Sequence, residues 1–123
     1  MAEVKTFTIV EKFKGTEGLY RYLNKNSDLF GRAVGISIQK PLRARRGCLI
    51  AQERITGRNI LFYASKSEIT KSLGELIVIA GKLNTHILVF FMPSLDAKII
   101  ESLDWLKNIC MNDYNIVAVK AEF

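Results

Sequence analysis

Residues 48–64 read CLIAQERITGRNILFYA. Two runs rich in apolar and β-branched residues, 48–55 and 59–64, flank Thr56-Gly57, where glycine supplies the positive φ that a tight hairpin turn needs. The stretch predicts two antiparallel strands, and its flanks extend the pattern. Upstream, residues 33–39 read as a further strand. The segment between, Lys40-Pro41-Leu42-Arg43-Ala44-Arg45-Arg46-Gly47, reads as a loop because Pro41 and Gly47 punctuate it. Residues 4–13 alternate, with Phe7, Ile9 and Phe13 on one face and Thr6, Thr8 and Val10 on the other, and predict a first strand. Thr16 can cap a helix that carries Leu19, Tyr20, Leu23 and Phe30 inward and stops at Gly31.

Downstream of the hairpin the apolar period changes. Ser67 can cap a helix over 67–82 whose Ile69, Leu73, Leu76, Ile77, Ala80 and Leu83 recur at helical spacing, a stripe wide enough to lie against a sheet. His86 to Met92 are nearly all apolar, as in a strand covered on both faces. Pro93-Ser94 ends that strand and opens a helix over 95–111 with Ile99, Leu103, Leu106 and Cys110 on one face. A last strand runs from Asn115 to Ala121. The expected order is β, α, β, β, β, α, β, α, β in a single α/β domain spanning residues 1–123, with one mixed sheet.

A chain of 123 residues can bury about two thirds of its unfolded surface, which supports a core without metal or disulfide staples. The longest apolar run, Ile87 to Met92, falls far short of the roughly 20 residues of a membrane-spanning helix, so no membrane partner is expected. The first residues lack an apolar signal core, which points to the cytoplasm. Cys48 and Cys110 are then expected to be reduced and buried, and with a single histidine they do not make a structural zinc site.

Charge is distributed unevenly. Between Arg32 and Lys66 stand eight cations (Arg32, Lys40, Arg43, Arg45, Arg46, Arg54, Arg58 and Lys66) and one acid, Glu53, a local charge of 8 − 1 = +7 against +6 for the whole chain. The rest is close to neutral. Such a window can be a solvated face that only aids solubility, but a polarised field attracts polyanions, nucleic acid above all.

The succession α-β-β-β-α-β from the first helix to strand 86–92 resembles the core of the restriction-endonuclease-like superfamily, the PD-(D/E)XK nucleases. So do Leu73-Gly74-Glu75-Leu76, the run Ile87 to Pro93, Leu103-Asp104-Trp105-Leu106 and Ile116-Val117-Ala118-Val119, which are similar to the tail of one class of such nucleases. The resemblance implies an αβββαβ core with an extra N-terminal strand and a C-terminal helix and strand. It also implies metal ions held by an aspartate on the second core strand and by the first residue of an acidic-x-Lys triplet on the third. The matching positions here are Gly47-Cys48-Leu49 and Ala64-Ser65-Lys66. The lysine is present and both carboxylates are replaced. No catalytic residue, metal ligand or cofactor is therefore expected. A metal-dependent nuclease remains an alternative only if the site has migrated to Glu17 with Glu68 or Glu75.

Other chemistry is thin. His86 has no carboxylate or serine at a recognisable spacing, Cys48 in a strand reads as packing, and the glycines form no phosphate-binding fingerprint. Binding remains. Lys40, Arg43, Arg45, Arg46, Arg54, Arg58 and Lys66 are the expected nucleic-acid contacts, their guanidinium forks reaching phosphates from the loop and hairpin, with DNA ahead of RNA as partner. Of the hairpin's aromatics, one of Phe62 and Tyr63 is expected in the core and the other half exposed, where Tyr63 could stack on a base. No helix carries arginine or asparagine in a pattern suited to the major groove, so backbone charge is the expected mode. The competing reading is an interaction or assembly subunit, of viral or mobile-element origin, whose basic hairpin meets an acidic protein. A homodimer fits both, because a strand at either end of the chain leaves an edge to pair.

Overall fold

A computed structural model describes residues 4–45, 47–65, 78, 80–82, 85–109 and 115–123, without the side chains of Lys40, Pro41, Arg45 and Ile109. The elements are β1 (Lys5–Lys12), α1 (Gly15–Lys25), α2 (Ser27–Val34), β2 (Ile38–Arg45), β3 (Cys48–Glu53), β4 (Asn59–Ala64), β5 (Thr85–Met92), α3 (Ala97–Ile109) and β6 (Asn115–Glu122). Val78 and residues 80–82 are helical; the rest of the helix expected over 67–82 lies outside the described residues, as does Cys110.

The strands form one mixed α/β sheet in the order β1-β6-β5-β4-β3-β2. β1, β6, β5 and β4 run parallel, and β3 and β2 add to β4 as an antiparallel meander. Parallel neighbours need crossovers, and these put helices on both faces. On one face α1 and α2 bury Leu19, Leu23, Phe30 and Val34 against Leu49, Ile60, Phe62, Val89, Phe91 and Val117. Phe30 anchors α2, its ring centroid 6.3 Å from that of Phe62 and 5.6 Å from that of Phe91. On the other face Leu103 and Leu106 of α3 cover Leu61, Leu88, Phe90 and Ile116, with Ala80 alongside. The alternation of β3, β4 and β5 between these two clusters explains why β5 reads as an unbroken apolar run. Asp104 of α3 also accepts a hydrogen bond from the Val4 N–H at 3.2 Å, tying the start of β1 to that helix.

Several boundaries differ from the expectations for local reasons. The single helix from Thr16 to Gly31 is two helices, broken at Asn26, whose main-chain N–H (2.8 Å) and side-chain amide (3.1 Å) both donate to the Tyr22 carbonyl. An asparagine side chain competing for backbone partners disfavours a continued helix. Gly31 does not stop α2. It lies inside the helix and is required because an added Cβ would meet the Ile36 carbonyl oxygen at 2.3 Å. The stop is Gly35, at φ 78°. Residues 33 and 34 are therefore helical, and the strand expected at 33–39 begins at Ile38.

The Lys40–Gly47 segment is a further correction. Through Arg45 it is strand, not loop, pairing with β3 at Arg43↔Ile50, Ala44↔Leu49 and Arg45↔Cys48, after a register shift between Gln39 and Arg43. Proline is tolerated on an edge strand, where its missing N–H leaves no ladder bond unmade, and a bulge there is common. The turn after β3 is also longer than a two-residue hairpin. β3 ends at Glu53, and residues 54–58 connect to β4 with Gly57 at φ 71°.

Candidate nucleic-acid interface

β2 is the last strand of the sheet, and among the described residues nothing pairs with its outer edge. Such an edge invites pairing with other chains, and Pro41, the bulge and the arginines all blunt it. Arg43 is exposed. Its register partner Ile50 packs in the cluster under α3, so Arg43 stands at the margin of that face. Arg45 lies opposite Cys48 in the ladder. The side chains of Lys40 and Arg45, and Arg46 and Lys66 altogether, fall outside the described residues.

Arg54 and Arg58 occupy the connection at the opposite end of β3, and both are exposed. Six residues of strand separate them from the Arg45 end, about 17 Å at a rise of about 3.4 Å per residue. Along one strand of duplex DNA, with one phosphate per 3.4 Å of axis, that is a span of about five phosphates. The two basic groups therefore reach well beyond the neighbouring phosphates that their sequence proximity suggests.

The connection itself is well fixed. The Thr56 hydroxyl donates to Glu53 Oε1 at 2.6 Å and accepts the Arg58 N–H at 3.2 Å, while the Gly57 N–H donates to the Glu53 carbonyl at 2.9 Å. The one acid of the basic window is thus engaged inside its own turn. Arg54 is held from two sides, its main-chain N–H donating to the Ser37 carbonyl at 3.0 Å and its Nη2 lying 3.3 Å from Asp28 Oδ1. That ion pair is more than half exposed, so its effect is chiefly to aim the guanidinium.

At the opposite end, where the first residues of β3 adjoin the last of β4, Tyr20 bridges two main-chain groups. The Tyr20 hydroxyl, from α1, donates to the Gly47 carbonyl at 2.8 Å and accepts the Ala64 N–H at 3.2 Å. Burial pushes its phenol up to about 12, the Ala64 hydrogen bond opposing the rise only in part. Beside it, burial raises the Cys48 thiol as well. Phe62 is fully buried and Tyr63 half-buried. The sequence gives Tyr20 an inward position on its helix, but only the fold brings the turn and the strand end to its hydroxyl.

The metal-ligand positions implied by the resemblance fall at this end. They hold the buried Cys48 and Ala64, and among the described residues no group of three His, Cys, Asp or Glu side chains is placed to hold a metal ion. No helix of the described residues is long and apolar enough to cross a membrane. Comparison with family models, with curated proteins and with solved structures finds no match for this chain.

Proposed function

We propose that this chain is a nucleic-acid-binding protein on a restriction-endonuclease-like scaffold that contacts phosphates through the β2–β4 margin of its sheet and does not cleave. The observation that carries this reading is the coincidence of charge with topology. Residues 32–66, with their charge of +7, include the end of α2 and all of β2, β3 and β4, which are consecutive at one side of the sheet. The near-neutral β1 lies at the other edge, five strand spacings or about 24 Å away. A field polarised across the molecule orients a polyanion toward one margin. The scaffold reading is supported by the α2-β2-β3-β4 succession with β5 added in parallel. Absence of cleavage follows from residue chemistry, because a thiol and a methyl group offer Mg²⁺ no hard oxygen ligands.

The test is a gel shift over single- and double-stranded DNA and RNA, with and without Mg²⁺, beside retention on an immobilised acidic protein. Salt-sensitive shifts without cleavage support the reading. Retention on the acidic protein with no affinity for any nucleic acid at low salt replaces it with the assembly reading.

A further inference from the structure

A cleft of about 330 Å³ opens between α2, the segment that joins it to β2, and the 54–58 connection, lined among others by Asp28, Arg32, Gly35, Ser37 and Arg54. Asp28 and Arg32 are one turn apart on α2 and therefore share a face of the helix. Arg54 approaches from the other wall. Asp28 is paired with Arg54 at 3.3 Å, and among the described residues no ion pair engages Arg32. The cleft thus holds two guanidinium groups against one carboxylate that is already engaged. Arg54 uses one side-chain donor on Asp28 and keeps the others of its fork. Gly35 lines the cleft as bare backbone, and an added Cβ there would meet nothing within 4 Å.

We propose that this cleft is a phosphate-binding subsite in which Arg32 and Arg54 are the ligands and Asp28 positions Arg54. Two arginines that line one cleft can each donate a pair of hydrogen bonds to a tetrahedral oxyanion seated in it. The phosphate is either free or carried by a nucleic acid; the second case rests on the function proposed above. On a nucleic acid this subsite grips the strand at the end of β3 remote from Arg43 and adds Arg32 to the contacts expected from the hairpin alone.

The test uses the full chain and inorganic phosphate, followed by side-chain guanidinium and backbone amide resonances, with salt-dependent DNA binding measured in parallel. Phosphate is expected to shift Arg32, Arg54 and Ser37 saturably and to leave Arg43 unmoved. Arg32→Gln is expected to weaken phosphate binding at least tenfold and to reduce the magnitude of the slope of log K against log salt on duplex DNA by about 0.9. Asp28→Asn keeps an oxygen acceptor for Arg54 and removes the only carboxylate lining the cleft among the described residues, so phosphate binding should tighten; a carboxylate with a purely structural role predicts no such gain. Phosphate bound in the cleft by a protein that binds no nucleic acid retains the subsite for a free ligand and removes the nucleic-acid reading. Nucleic-acid binding indifferent to Arg32→Gln, with no phosphate-induced shift at Arg32 or Arg54, removes the subsite and leaves that reading in place.

Discussion

The hydroxyl of Tyr20 reaches across 27 residues of sequence to the main-chain carbonyl of Gly47, donating to it at 2.8 Å. With the Ala64 N–H as its second partner, it joins α1 to the β2–β3 turn and to the end of β4, and so sets where the arginine-bearing hairpin stands on the scaffold. Both partners are main-chain groups, so among substitutions on the hairpin only proline at position 64 would remove one of them.

Tyr20→Phe should lower stability by about 2 kcal/mol, because water can reach the exposed Gly47 carbonyl once the hydroxyl is gone but the N–H of the buried Ala64 loses its acceptor. The effect has a pH signature. The folded phenol sits near 12 against an ordinary value of 10.0. Between those values the unfolded chain has released the proton and the folded chain retains it, so stability falls as pH rises. Denaturant midpoints for wild type and Tyr20→Phe should differ by a constant amount up to about pH 9, and the gap should shrink through the alkaline window. A gap unchanged up to pH 12 would show that the Tyr20 phenol is not held neutral by the fold.

Gly31 and Gly35 should respond differently to alanine. At Gly31 the new Cβ would meet the Ile36 carbonyl oxygen at 2.3 Å, so the α2–β2 connection must move, at a cost of about 3 kcal/mol, in the range for overpacked sites. At Gly35 space is open and the φ of 78° is the obstacle, with a cost of about 1 kcal/mol. Chemical denaturation of the two variants measures the ranking, and equal losses would contradict it.

Much of this fold is legible in the sequence because pattern and burial coincide there. β5 reads as a two-sided buried strand and is one, and Leu103 and Leu106 mark the inward face of α3. What misleads is the segment Lys40–Arg45. Its proline and arginines are signs of a loop by composition, but an edge strand is solvated along one side and tolerates both. Asn26 misleads in the opposite sense, since an asparagine inside a helical pattern is permitted and only its φ of −119° and the bond of its side-chain amide to Tyr22 show the break. In the candidate interface the arginines are legible as a group, whereas their division between two ends of β3, and the sharing of one cleft by Arg32 and Arg54, depend on a turn and a helix end that no spacing encodes.

Purified protein should leave DNA and RNA intact with Mg²⁺ or Mn²⁺. Under the proposed scaffold Cys48 and Ala64 would occupy the positions of the hard carboxylate ligands, and the Glu53 carboxylate is engaged by Thr56 at the far end of β3. A plasmid-nicking assay over a range of metal concentrations decides the point. Nicking that disappears in Glu17→Ala, Glu53→Ala or Glu68→Ala would establish a migrated site and overturn the non-catalytic reading.

Binding should be dominated by phosphate contacts from one margin of the sheet. If about four arginines each neutralise one phosphate on duplex DNA, log K should fall against log salt with a slope of roughly −3 to −4. Replacing Arg43, Arg45 and Arg46 together by alanine should reduce the magnitude of that slope by up to about 3 and weaken binding to every sequence alike, because contacts to the backbone carry no base information. The fold should survive, since Arg43 is exposed and the ladder of β2 with β3 is made by main-chain groups. The control is Lys98, exposed on α3 and outside the basic margin. Lys107 on the same helix is unsuitable, because it is only 7% exposed and its replacement would disturb packing. Lys98→Ala should leave affinity nearly unchanged. If it costs as much per charge as the arginines do, the net charge of the whole molecule drives binding and the β2–β4 margin has no special part in it.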